Sequence, residues 1–352
     1  MQNPSAVLYS PGTVKIEDRP IPTIQDPHDV LVRIAFVGVC GSDVHFWKHG
    51  GINGKVPPPT GLIMGHEASG TIHEIGGEVT SVKVGERVAI EPGIPCRRCK
   101  VCKDGKYNLC KGMQFAAAPG ELPGTLARFF RVPEDFVYRV PESVSLEEAV
   151  FVEPMSVAVH AVKMVDIRPG ETVVVMGSGT IGLLCAAVAK QFGAHRVMLV
   201  DILDSKLEFA RKYLGCETFK PGMVSAEENA EGLLKQLGVD GVDTVIEASG
   251  AAPSIETGIY ILRPGGKYVQ TGLGRPKIEF PIVTLSEKEL LVRGCFRYGS
   301  GDYELATSLL TRGIIDVKPL ISSITSFGDT SQAWDKTMRG EGIKNLIRGV
   351  QD

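Results

Sequence analysis

Residues 171–182 read ETVVVMGSGTIG. The first half is a continuous apolar run, the pattern of a parallel strand covered on both faces. Gly177-Ser178-Gly179-Thr180-Ile181-Gly182 then spells G-x-G-x-x-G, and the apolar helical stretch TIGLLCAAVAKQFG follows from Thr180. Such a glycine pattern carries little meaning alone. Between a strand and a helix it predicts a phosphate-binding turn. Gly177 permits the tight turn, Gly179 lets a pyrophosphate approach the backbone, and Gly182 lets helix and strand pack closely. The helix N-terminus offers its unpaired N–H groups to the phosphates. The competing reading is a glycine-rich strand–helix connection that binds no nucleotide.

Downstream, HRVMLVD reads as a second strand, ended by Asp201 nineteen residues after Gly182. A carboxylate there accepts hydrogen bonds from ribose hydroxyls and repels a 2′-phosphate. Ile202 and Leu203 follow, with no arginine to receive that phosphate, so NAD is expected rather than NADP. A helix, SKLEFARKYLG, ends at Gly215, and GVDTVIEASG, IETGIYILRPGG, KYVQTG and ELLVRGC continue the alternation. Residues 156–292 are therefore expected to form a doubly wound α/β domain with a parallel sheet. The run TVVVMGSGTIGLLCAAVA is long enough to suggest a membrane span, but Gly-Ser-Gly-Thr interrupts it. A buried strand followed by a buried helix fits better.

The flanks have another texture. Residues 1–155 hold short β-like runs punctuated by glycine and proline, which predicts a compact β-rich domain. Residues 293–352 are too few for a third domain and are expected to pack back onto the first. The formal net charge of −3, with no long basic run, argues against a nucleic-acid partner. The N-terminus lacks the features of a signal peptide, so the cytoplasm, with no membrane association, is expected.

Eight cysteines without a secretory signal suggest metal ligands rather than a disulfide framework. Cys96, Cys99, Cys102 and Cys110 follow C-x2-C-x2-C-x7-C. Four thiolates suit a tetrahedral zinc and leave it no open position, so this site would be structural. An iron–sulfur cluster or bare thiols are the alternatives. Cys185 and Cys216 are expected in the core. A more dispersed set comprises Cys40, His66, Glu67 and Glu153. One thiolate, one imidazole and carboxylate help would let a catalytic zinc keep a position open. Taken singly, these are a core cysteine, a core histidine and solvated glutamates.

Together these residues resemble the zinc-dependent medium-chain dehydrogenases, and among them the polyol dehydrogenases acting on sorbitol, xylitol or arabinitol. The resemblance rests on GVCGSDVHFW, GHEASG, VGERVAIEPGIPCRRCKVCKDGKYNLC, FVEPMSVAVHA, GSGTIG and CFRYGSGDY, and covers nearly the whole chain. It implies a GroES-like β-rich catalytic domain (1–155 and 293–352) interrupted by a Rossmann NAD-binding domain (156–292). It implies two zinc ions per chain, the catalytic one held by Cys40, His66 and Glu67. Glu153 would hold the zinc-bound water or exchange with it as a ligand. Zinc would act as a Lewis acid on a secondary hydroxyl, with hydride passing to the nicotinamide. Ser42 and His45 would relay the proton. Phe46, Phe115, Glu153, Arg297 and Tyr298 would line the substrate pocket. Ile181, Lys206, Gly272, Leu273, Phe296 and Arg297 would lie near the cofactor.

Two departures bear on substrate. Phe46 stands where many relatives carry tyrosine, and the loop GINGKVPPPTG, 51–61, differs from its counterpart. The family implies oxidation of xylitol or D-sorbitol to D-xylulose or D-fructose by a homotetramer. L-arabinitol, threonine and butanediol dehydrogenases are the alternatives. The Arg297-Tyr298 pair argues against the last two, and Phe296 argues against arabinitol.

Overall fold

The computed structural model describes residues 2–52 and 54–351; Asn53, in the loop 51–61 singled out above, lies outside them. The chain divides into two compact units. A split unit runs up to Glu153 and resumes at Gly299, and an inserted unit spans Pro154–Tyr298.

The inserted unit is built on a six-stranded sheet. Its strands in spatial order are Glu217–Phe219, Arg196–Val200, Thr172–Met176, Val242–Glu247, Leu262–Gln270 and Leu291–Gly294. All neighbours are parallel. Numbered along the chain, the order is 3-2-1-4-5-6, the dinucleotide-binding arrangement. Val173, Val174 and Val175 are wholly buried, as their unbroken apolar run requires. The helix Thr180–Gln191 buries every residue from Gly182 to Ala189, and Gly193 turns the chain out of it at φ +98°. The helix Asp204–Leu214 buries only Leu207 and Ala210 and closes on Gly215 in the left-handed region.

Two details escaped the sequence. The edge strand Glu217–Phe219 has three half-buried residues, too short for a period-2 pattern to register. The strand Leu262–Gln270 begins before the Pro-Gly-Gly segment, which its neighbour accommodates by a register shift between Val242 and Thr244. Cys185 is fully buried, whereas Cys216 follows the helix-ending Gly215 and is only half buried. Among the described residues, no helix is long and apolar enough to cross a membrane.

The split unit centres on the strand Asp29–Gly38, ten residues of which seven alternate or run apolar. It pairs antiparallel with Glu67–Ile75, Phe129–Pro133 and Lys344–Arg348. The last of these comes from the C-terminal segment, so that segment supplies a central strand of this sheet. A second link is the helix Thr330–Met338, whose wholly buried Trp334 packs against Trp47 with ring centroids 5.3 Å apart. Trp47 Nε1 donates to Asp335 Oδ1 at 2.8 Å. Burying an indole of this size contributes roughly 2–3 kcal/mol, which explains why these last residues need no core of their own.

Candidate active site

Strand register brings the dispersed set together. Gly38 ends one strand and pairs directly with Glu67, which begins the next. Cys40 lies two residues beyond Gly38 and His66 one before Glu67, so both meet at the same end of the sheet. A ligand atom from each of Cys40, His66 and Glu67 converges within 4.8 Å of the others. Glycine at 38 is a steric necessity: a Cβ there would sit 2.2 Å from Glu67 Oε2.

Two side chains that the sequence did not flag complete the centre. Asp43, in the first turn of the helix Gly41–His49, accepts a hydrogen bond from the Cys40 N–H at 2.9 Å. Its other oxygen faces His66 Nδ1 at 3.9 Å, and burial raises its pKa. Lys344 begins the C-terminal strand, only 3% exposed, and its Nζ reaches both Glu67 oxygens at 2.9 and 2.6 Å. It also donates to the Val39 carbonyl at 3.1 Å. In sequence, Asp43 reads as a helix-capping acid and Lys344 as one of many lysines, so no local pattern exposes them.

The electrostatics fit a metal. Burial opposes a charged His66, but the hydrogen-bonded Cys40 beside it, with Asp43 and Glu153, raises its pKa to about 10. The cluster therefore favours positive charge at its centre, which a bound zinc would supply in place of the His66 proton. One sulfur, one imidazole nitrogen and one carboxylate oxygen suit zinc with a fourth position left over.

Around this centre, Phe115 lies with its ring 5.7 Å from that of His66. Glu153, buried in the first turn of the helix Val152–Met164, acts electrostatically on His66 but stands outside the converging set. Ser42 is half-buried and His45 exposed on the helix after Cys40, with the His45 ring 5.6 Å from His49. Phe46 is only 6% exposed and belongs to the hydrophobic core around Trp334. Arg297, at φ +55°, stacks on the exposed Phe296 ring, and Tyr298 is buried; all three belong to the inserted unit.

The four-cysteine loop forms a second group. Sγ separations are 3.4 Å for Cys99–Cys102, 3.7 Å for Cys99–Cys110 and 3.9 Å for Cys96–Cys102. Tetrahedral zinc with its usual zinc–sulfur bonds needs about 3.8 Å between sulfurs, whereas a disulfide would bring a pair to about 2 Å. Backbone N–H groups of Arg98 and Cys99 hold the Cys96 thiol down at about 6, whereas burial and the neighbouring thiols push Cys102 up to about 12.

This loop is tied to the rest of the split unit. Ser300 N–H donates to the Gly105 carbonyl at 3.1 Å, and Arg97 pairs with Asp135 at 2.7 Å. Glu91 accepts hydrogen bonds from Tyr107 at 2.5 Å and Tyr138 at 2.9 Å. Burial pushes the Glu91 pKa up to about 8 despite those two donors. An acid whose pKa rises on folding holds its proton better in the folded state, so stability falls as pH rises from the usual carboxylate range through 8. Glu91→Gln mimics the protonated form. It is expected to flatten the urea-unfolding stability between pH 5 and 8, sparing a loss of about 4 kcal/mol expected of the unsubstituted chain.

The glycine turn has the shape a nucleotide needs. Gly177 adopts φ +102°, and a Cβ on Gly182 would lie 1.8 Å from the Gly177 carbonyl oxygen. Gly179 caps the helix Thr180–Gln191, and a Cβ there would meet nothing within 4 Å, leaving an open approach to the N–H groups. Asp201 accepts from Ser178 N–H at 2.8 Å and Leu203 N–H at 3.0 Å, so it holds the turn and keeps lone pairs for a ribose. Ile181 is half-buried in the first turn of that helix, and Lys206 lies in the next. Gly272 donates to the Glu247 carbonyl at 2.8 Å, beyond the end of the strand Leu262–Gln270, and Leu273 is exposed beside it.

The family comparisons agree with this geometry. Residues 26–142 match the alcohol dehydrogenase GroES-like domain, and residues 180–312 match the zinc-binding dehydrogenase domain. The chain is 54% identical to the probable D-xylulose reductase A of Aspergillus fumigatus, covering 100% of this chain and 98% of that one. It is 54% identical to D-xylulose reductase A of Aspergillus oryzae, covering 99% and 97%. The solved structure of L-idonate 5-dehydrogenase from Escherichia coli superposes with a TM-score of 0.89 at 27% identity, covering 99% and 98%. The cysteine group and the Cys40–His66–Glu67 group fit a structural and a catalytic zinc. The chain belongs to the zinc-dependent medium-chain dehydrogenases and, within them, to the polyol dehydrogenases.

Proposed function

We propose that this oxidoreductase interconverts xylitol and D-xylulose with NAD, and accepts D-sorbitol because the two polyols share their configuration at C2. The observation that carries the reading is the convergence of Cys40, His66 and Glu67 in a chain so close, over its full length, to relatives named for D-xylulose. When bound, zinc supplies a Lewis acid and NAD a hydride acceptor. The protein's residues do the rest. Cys40, His66 and Glu67 would hold the metal, and three such ligands would leave a position for a substrate hydroxyl. Asp43 faces His66 Nδ1 and so leaves Nε2 as the ligating nitrogen. Ser42, half-buried, takes the hydroxyl proton, and the exposed His45 hands it to solvent. Glu153 orients the water or hydroxyl at the open position. Asp201 receives the ribose and selects against a 2′-phosphate. Arg297, with its planar donor fork, and Tyr298 are the residues assigned to further polyol hydroxyls.

The reading extends to a cytoplasmic homotetramer. Eight cysteines, none of them in a disulfide, suit a reducing compartment. The edge strand Leu291–Gly294, with Leu291 and Val292 exposed, is a surface that a second copy would cover.

A panel of polyols with both cofactors tests the function. Xylitol and sorbitol are expected to turn over with NAD, with kcat/KM for NAD at least about tenfold above that for NADP, one unfavourable charge contact being worth this much. Equal or better rates with NADP would remove the role of Asp201. Turnover of butanediol or threonine in preference to polyols, or of no polyol at all, overturns the substrate assignment.

A further inference from the structure

The Lys344–Glu67 pair bears on how the metal centre keeps a position open. An ammonium has three N–H donors, and Lys344 spends them on Glu67 Oε1, Glu67 Oε2 and the Val39 carbonyl. Both side chains are shut off from water, at 3% and 1% exposure, so neither can exchange its partner for solvent. Three strands fix them. Gly38 pairs with Glu67 on one side and with Leu346, two residues after Lys344, on the other. The missing side chain at Gly38 makes the space in which the carboxylate lies. The same carboxylate offers an oxygen to the group formed with Cys40 and His66. Glu67 therefore stands between a buried cation and a metal site.

We propose that Lys344 is a positioning residue that shares the Glu67 carboxylate with the metal and so limits its commitment as a ligand, keeping the remaining coordination position exchangeable for a substrate hydroxyl. This rests on the zinc reading of Cys40, His66 and Glu67. The physical basis is competition. A carboxylate whose charge is neutralised by a hydrogen-bonded ammonium donates less to a metal than a free one. Strip the ammonium away and the carboxylate has one cation left to satisfy, in a buried place where going unpaired is costly. The centre would then hold its metal more firmly and admit a hydroxyl less readily. A lysine that merely filled space or balanced charge for folding would act oppositely: its loss would loosen the site and let the metal go.

The test reads metal release as well as rate. Lys344→Met keeps the length of the side chain and removes its charge, Lys344→Gln keeps a single donor, and Lys344→Arg keeps the charge. Each variant is purified with its zinc, checked for two zinc ions per chain and an unchanged circular dichroism spectrum, and exposed to a chromophoric chelator. Lys344→Met is expected to release the zinc of the Cys40 centre about tenfold more slowly than the unsubstituted chain, the scale of an altered ligand partner. Its kcat should fall while that zinc is retained. With cobalt in the same centre, the visible spectrum should lose its response to added xylitol. Lys344→Gln should fall between, and Lys344→Arg should restore release and spectral response. Should Lys344→Met fail to fold, Lys344→Gln decides alone: slower release supports the role. Unchanged or faster release from a folded Lys344→Met or Lys344→Gln chain overturns it. Failure of the underlying reading looks different: Cys40→Ser would then keep two zinc ions per chain whatever Lys344 does.

Discussion

Cys40→Ser is expected to reduce kcat/KM for xylitol by about 10³ or more and to leave one zinc per chain instead of two. A serine hydroxyl in place of a thiolate is neutral and a poor zinc ligand. The centre would keep His66 and Glu67, and Glu67 is already engaged by Lys344. His66 would lose the neighbour that does most to favour positive charge at this position. The Cys96–Cys110 group belongs to a separate loop and should retain its metal. Metal analysis of the purified variant, beside steady-state kinetics with xylitol and NAD, checks both halves. Full activity with one zinc per chain would show that Cys40 is no ligand of the catalytic metal.

Cys99→Ser is the complementary experiment. It too should leave one zinc per chain, but that zinc should be the one at Cys40, and the folded fraction should keep most of its turnover. The expected damage is structural. Cys99 caps the short helix Lys100–Lys103, and its sulfur lies 3.4 and 3.7 Å from those of Cys102 and Cys110. Without the metal, these sulfurs no longer hold residues 96–110 together. The remaining ties are Ser300 to Gly105, Arg97 to Asp135 and the Glu91–Tyr107 bond. Loss of the metal cross-link is expected to lower the thermal midpoint by about 5–10 °C and to open the loop to proteolysis. A Cys99→Ser chain that stayed folded with the Cys40 zinc in place, yet lost hydride transfer, would mean that the two sites are assigned the wrong way round.

The parts of this protein legible in its sequence are those in which one local segment contains the whole physical reason. The glycine turn at 177–182 is such a segment. An unbroken apolar strand, three glycines at fixed spacing and an apolar helix suffice, because the steric demands at Gly177 and Gly182 arise among neighbours in the chain. The four-cysteine loop is another, since closely spaced thiols need no distant partner. The doubly wound parallel sheet was implied by the alternation, but its short edge strand Glu217–Phe219 was not visible, because three half-buried residues carry no periodicity.

The catalytic centre divides between the two kinds of information. Cys40, His66 and Glu67 were recognisable as residues by their motifs, while their meeting depended on the register that sets Gly38 opposite Glu67. Phe46 illustrates what only packing reveals: close to Cys40 in sequence, its ring also belongs to the hydrophobic cluster that holds Trp334. Lys344 shows it more sharply. Nothing in EGIKNLIRG marks that lysine, and its contact with Glu67 exists only because a C-terminal strand is laid beside Asp29–Gly38. The sequence by itself determined the nucleotide turn and the clustered thiols, since those follow from short-range sterics and ligand chemistry, and its resemblance to a known family implied the kind of enzyme. The tertiary structure alone decided which charged side chains balance the buried carboxylate, because burial and pairing across strands are set by residues hundreds of positions apart.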